Sequence, residues 1–130
     1  MTCSYDLYKK AGGIIHYSGA VALNVDTSTT SIIAAVAGKR IVPVWAVHVY
    51  TNNLPTNTWW FLGGLTSLHY VVYGQATIAS NRIAPQIFRF HGNELRTLEI
   101  NEGLSHAYLQ DYTGKINTAY CSVGYYLLDS

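Results

Sequence analysis

The sequence predicts an all-β domain, a sandwich or a barrel, and three observations carry that expectation. About ten short apolar runs recur at intervals of roughly 8–14 residues, most of them closed by turn-forming residues. Residues that favour sheet are abundant, with 11 Tyr, 3 Trp and many Val, Ile and Thr. No stretch shows the 3.6-residue periodicity of an amphipathic helix. The 130 residues suit one domain with a sound core, and no internal repeat, low-complexity tract or linker divides them. The expected organisation is an N-terminal arm over residues 1–13 and a single β domain over 14–130.

The arm carries Tyr5, Leu7 and Tyr8 and ends at the turn signal Gly12-Gly13. Ile14 to Tyr17 and Ala20 to Val25 read as short strands divided by Ser18-Gly19. Thr29 to Tyr50 is the stretch around which the rest is organised. Two β-branched apolar runs flank Ala37-Gly38-Lys39-Arg40, so two strands joined by a short turn are expected. Strict alternation puts Ile41, Trp45, Val47 and Val49 on one face of the second strand. It puts Val42, Val44, Ala46, His48 and Tyr50 on the other. Both sets are mostly apolar, so one belongs inside and the other against a neighbouring layer or subunit. Pro43 lacks an N–H for a ladder and marks an edge or a bulge.

Thr51 to Asn57 is a loop. Thr58 to Leu62 is a strand whose adjacent Trp59 and Trp60 face opposite ways, closed by Gly63-Gly64. Leu68 to Tyr73 is another strand. Gly74 to Pro85 reads mostly as loop, with an extended piece at Thr77-Ile78. Gln86 to His91 alternates, and Gly92-Asn93 turns. Leu95 to Ile100 is a brief strand or one helical turn, and Asn101-Glu102-Gly103 is a tight turn. Leu104 to Tyr112 and Ile116 to Leu128 are the last strands, parted by Thr113-Gly114-Lys115.

Composition narrows the function. The chain is 49% hydrophobic but only 12% charged, about half the usual charged fraction. So small a domain then exposes a large neutral, aromatic surface, which usually meets a protein, a sugar or a copy of itself. A net charge of +1 without a basic run argues against nucleic-acid binding. No apolar stretch approaches the roughly 20 residues that span a bilayer, so no membrane partner is expected. Asp6 precedes Lys9 and Lys10 with no apolar region behind them, unlike a secretory signal. Cys3 and Cys121 are therefore expected to be reduced rather than paired.

No motif for catalysis emerges, and no cofactor or metal is expected. His48, His69, His91 and His106 lie on separate predicted strands, without His-x-His or Cys-x-x-Cys spacing. They read as strand histidines packed beside tyrosines or at a subunit contact. Glu94, Glu99, Glu102 and Asp111 cluster around turns and read as solvated charges rather than a glycosidase pair. Cys121 alternates with Ala119 and Val123 and reads as a buried thiol. Trp59 and Trp60 with Tyr70 and Tyr73 are candidates for stacking on a sugar ring, or for packing and assembly.

Three segments resemble a group of small structural proteins of tailed phages. Thr29 to Ile41 is similar to that group's Ile-Val-Ala-Ala-x-Ala-Gly-Lys-Lys-Ile hairpin. Thr97 to Leu104 is similar to its Thr, spacer, Gly-Glu-x-Leu lead into a strand, although Asn101-Glu102-Gly103 inverts the Gly-Glu order. Gly114 to Tyr126 is similar to its closing aromatic strand, while Trp59 to Phe61 and Leu65 to Tyr73 have no counterpart in the motif. The resemblance implies a jelly-roll-like antiparallel β-sandwich. It also implies a non-enzymatic decoration (cement) protein, made in the host cytoplasm and bound to the outside of the virion. The expected partners are the major capsid protein and copies of itself, as a trimer that matches three-fold lattice points. The contact residues expected are Tyr5, Tyr8, Tyr17, Val42, Val44, His48 and Tyr50. A glycan- or receptor-binding module on a tail or fibre, using Trp59 and Trp60, is the alternative.

Overall fold

The computed structural model describes residues 9–52, 56–64, 69–78, 83–90 and 97–129; of residues 52, 56, 69–78, 83 and 84 it describes the backbone alone. Nine strands form among them: β1 (His16–Tyr17), β2 (Val21–Ala22), β3 (Thr30–Ile33), β4 (Lys39–Asn52), β5 (Thr56–Gly64), β6 (His69–Ile78), β7 (Ile83–Arg89), β8 (Leu104–Tyr108) and β9 (Ile116–Asp129). The pairing is nested. β1 and β2 pair with β9, β3 with β8, β4 with β7 and β5 with β6, all antiparallel. The chain is thus one long antiparallel ribbon whose tip is the β5–β6 connection. Rolling it up sets β4 beside β9 and β5 beside β8. Two sheets result, ordered β1-β9-β4-β7, with β2 also on β9, and β3-β8-β5-β6. This winding is a jelly roll, as the sequence led us to expect.

Several local expectations are corrected. β3 and β4 are not a hairpin, because β3 lies in one sheet and β4 in the other. The turn between them still forms: Lys39 N–H donates to the Val36 carbonyl at 3.0 Å, and Gly38 sits at φ 73°. Such a turn needs a residue that tolerates positive φ, and glycine supplies it. Asn101, at φ 62°, accepts the Gly38 N–H on its side-chain oxygen at 2.6 Å, which ties the loop before β8 to this turn. β6 runs through Gly74 to Ile78, where the sequence suggested mostly loop. β8 stops at Tyr108 rather than Tyr112. Asp111 ends the extended run by accepting the backbone and side-chain hydrogens of Thr113, at 2.9 and 2.5 Å.

The bulge announced by Pro43 has the largest consequence. The β4–β9 register slips between Pro43 and Trp45. One extra residue there reverses the alternation on either side of it. Ile41 therefore joins Ala46, His48 and Tyr50 in the interior, instead of sharing a face with Trp45. Val42 lies outside in a small second cluster with Tyr126, packed by Ala11, Ile15, Val44 and Leu128.

The main core lies between the sheets. Trp60 and Leu62 from β5, Leu104 and Tyr108 from β8 and Ile41, Ala46 and Tyr50 from β4 meet Ala119, Cys121 and Val123 from β9. Cys121 is buried and free, as its alternation suggested. Burial pushes its thiol up to about 12, so it is not a nucleophile at neutral pH. Cys3 lies outside the described residues.

Candidate interaction surface

The open site is the outer face of the first sheet. In an antiparallel ladder, directly opposed residues share a face. The register therefore builds that face row by row. Tyr17, Gly124 and Trp45 form one row with Arg89 at its end. Val47, Ser122 and Ile87 form the next, and Val49, Tyr120 and Pro85 the third. Tyr17, Ile87 and Tyr120 are 65%, 61% and 45% exposed, and Trp45, Val47 and Val49 are half-buried. The patch is apolar where the outer face of a sheet in water is normally polar.

Gly124 sets the shape of this face. A Cβ there would stand 2.2 Å from Trp45 Nε1, so only glycine lets the indole lie down against β9. Tyr17 leans in from β1, its ring centroid 5.8 Å from that of Trp45. Beyond the indole, Val44, Trp45, Val47, Ile87 and Arg89 line a shallow trough of about 380 Å³. Arg89 is the charged residue among its described lining. At the far end, Val42 and Tyr126 are covered by the chain's own Ala11 and Ile15. Among the described residues, the outer face is thus covered at one end and uncovered at the other.

The inner face of the same sheet holds a polar network. His48 Nδ1 lies 3.1 Å from Gln86 Oε1, and Trp60 Nε1 donates to the same oxygen at 3.1 Å. An oxygen that accepts from an indole N–H can also accept from imidazole, so Nδ1 carries the proton of His48. Nε2 then accepts from the Tyr108 hydroxyl at 2.8 Å. His106 stacks on His48 at 5.2 Å and on Trp60 at 5.4 Å. Neither of its ring nitrogens has a partner among the described residues. Burial pulls His48 down to about 4, against the Gln86 hydrogen bond. Burial, and then the neighbouring His48, pull His106 down to about 2. Burial also raises the Tyr108 hydroxyl. His48, Trp60 and His106 are fully buried, so the network joins the two sheets from within.

The predicted contact residues divide. Tyr17 is on the open face, and Val44 borders it. Val42 is outside but covered within the chain. His48 and Tyr50 are inside the sandwich, because the bulge and the network turn them inward. Tyr5 and Tyr8 lie outside the described residues. Of the sugar-stacking candidates, Trp60 is wholly buried and Trp59 half-buried on the other side of β5; the side chains of Tyr70 and Tyr73 lie outside the description. His48 and His106 do pack beside tyrosines. Glu99 and Asp111 are solvated, but Glu102 is buried against Gly64 and accepts the Glu99 N–H at 3.3 Å. His91 and Glu94 fall outside the described residues, as does the His69 side chain. Among the described residues, no three His, Cys, Asp or Glu side chains gather as metal ligands. Sequence reasoning missed Trp45, Val47, Ile87, Arg89 and Tyr120 as a surface. Their period-two spacing was visible, but nothing in it showed which face was outer.

No family model and no curated protein matches the chain. Among solved structures it is similar to a chain of the cyanophage Pam1 capsid asymmetric unit, at 19% identity and a TM-score of 0.47, covering 87% of this chain and 83% of that one. It is also similar to a protein of the disulfide-linked pili that form Bacillus endospore appendages, at 9% identity and a TM-score of 0.42, covering 89% and 88%. A third likeness is to a CBM4 structure, at 14% identity and a TM-score of 0.38, covering 85% and 82%. At these identities and scores, function has to be argued from the surface itself.

Proposed function

We propose that this chain is a non-enzymatic virion protein that binds the exterior of a phage capsid and stabilises it, acting as a cement protein. The observation that carries the reading is the apolar face built from Tyr17, Trp45, Val47, Ile87 and Tyr120, which no other described residue covers. The segments Thr29–Ile41, Thr97–Leu104 and Gly114–Tyr126 resemble phage structural proteins and support it from the sequence side. Covering the face with a major capsid protein removes apolar area from water at about 25 cal/mol per Å² before ordering costs. Large, stiff aromatic side chains such as Trp45 and Tyr17 are suited to anchor such a contact. A trimer placed at three-fold points would engage several capsid subunits at once, and avidity would make modest single contacts sufficient.

The test mixes purified protein with capsids that lack it. Co-sedimentation and a rise in the temperature at which the capsids break are expected, and sizing of the free protein should give the trimer mass. Protein that stays in the supernatant and leaves capsid heat resistance unchanged removes the reading.

A further inference from the structure

We infer that the capsid segment which covers the trough is acidic as well as apolar: it sets an aliphatic or aromatic side chain on Trp45, Val47 and Ile87 and a carboxylate on Arg89. The inference rests on the docking reading above and names the chemistry of its partner.

Arg89 stands directly opposite Trp45 in the β4–β7 ladder and two residues from Ile87, so the guanidinium borders the apolar floor. Arg89 is exposed, and the ion pair formed among the described residues, Lys39 with Asp129, does not involve it. A partner that covers the floor also strips water from this guanidinium. Burying a charge without a counter-charge is strongly unfavourable, so a stable cover has to bring an acceptor. A carboxylate suits it best, because it can take two parallel N–H···O bonds from the planar fork. A two-fold contact of this face with a second copy would instead bring two Arg89 side chains into one drying patch, which like-charge repulsion disfavours.

The experiment titrates capsids lacking the protein with wild type, Arg89→Lys, Arg89→Gln and Arg89→Glu, at low and high salt, with Trp45→Ala alongside. Arg89 is exposed, so all three variants should keep the wild-type melting midpoint. Arg89→Gln should weaken capsid binding about 10-fold and Arg89→Glu about 100-fold, with Arg89→Lys between wild type and Gln. Added salt should weaken wild type but leave Arg89→Gln nearly unchanged. Trp45→Ala should lose binding at both salt levels. Equal binding by Arg89→Glu and wild type at low salt, with Trp45→Ala still defective, overturns the acidic partner and leaves the docking reading standing. Wild-type protein that fails to bind at all removes both.

Discussion

The two faces of β4 are stocked in reverse. Its inner face buries His48 and Tyr50, while its outer face leaves Trp45, Val47 and Val49 half in water. Inside, the imidazole of His48 is tolerated because β7 and β8 supply partners: Gln86 and Tyr108 hold both its nitrogens. A network of this kind fits a single register, since sliding β4 by one residue would take His48 away from both partners. Outside, apolar groups are tolerated only to the extent that something covers them. At the Val42 end, Ala11 and Ile15 do so. At the Trp45 end the chain supplies no equivalent among the described residues. The inner face therefore spends its residues on defining the monomer, and the outer face on something beyond it.

The largest effect expected from this contrast compares two tryptophans. Trp60→Ala should cost about 3–5 kcal/mol in denaturant unfolding, because it empties a fully buried site and removes one of the hydrogen bonds to Gln86. Trp45→Ala should cost less, about 1–2 kcal/mol, since that ring is only partly buried, yet it should abolish capsid binding. Similar stability losses at the two sites would break the distinction between the faces.

How much of this was legible in the sequence depended on which force decided each point. The β-sandwich, the buried Cys121 and the opposed Trp59 and Trp60 followed from alternation, which the pleat imposes locally. Pro43 marked an edge or a bulge; β4 is an inner strand, and the bulge is what forms. The side of the bulge on which alternation reversed was not legible, because the register is set by pairing with Tyr125 and Gly124, some 80 residues on. The inward turn of His48 was hidden for the same reason. Its partners Gln86 and Tyr108 lie 38 and 60 residues away, and a face carrying His and Tyr opposite one carrying Val and Trp invites the reverse assignment. Glu102 read as a solvated turn charge because the glycine that makes room for it, Gly64, comes from another strand.

Acid should attack the inner face first. His48 sits at about 4 in the folded protein and near 6.5 when unfolded. Above 6.5 both states are neutral and nothing is lost. As pH falls, the unfolded chain takes up a proton that the folded protein refuses, so stability declines from pH about 6.5 to about 4 and amounts to about 3 kcal/mol across that window. His106, with the same unfolded value, adds to the decline from pH about 6.5 and carries it on toward about 2. Asp26 and Asp111 are both lowered, chiefly by hydrogen bonds from Ser28 and Thr113. Their contribution is lost only as pH falls through the carboxylate range, below the main histidine window. Melting midpoints taken across the upper window should fall in wild type and fall less in a His48→Gln, His106→Leu double variant. A flat profile in wild type would show that the histidines are not as deeply buried as the network requires.

The two histidines should also respond differently to replacement at neutral pH. His48→Leu strands the Tyr108 hydroxyl and takes a donor from Gln86, which should cost about 1–3 kcal/mol. His106→Leu removes two nitrogens that have no partner and keeps an apolar filling between His48 and Trp60, so it should be neutral or stabilising by about 1 kcal/mol. Unfolding midpoints of the two variants measure the difference directly. Equal losses would mean that stacking of the imidazole outweighs its unmet hydrogen bonds.

The smallest expected effect lies at the rim, where β4 and β9 end together. Lys39 and Asp129 are opposed in the ladder and joined by an ion pair, with side chains 38% and 85% exposed. Water and salt screen such a pair, and holding two mobile side chains in one geometry costs entropy. Asp129→Asn should therefore cost about 0.5 kcal/mol or less, and a double-mutant cycle with Lys39→Met should return a coupling of the same size that vanishes in high salt. The pair fastens an end that thirteen β4–β9 residue pairs already hold, so its loss should leave both faces as they were. A coupling above about 1 kcal/mol that survives salt would instead make this corner a third structural element, with the registers of both faces dependent on a contact at their edge.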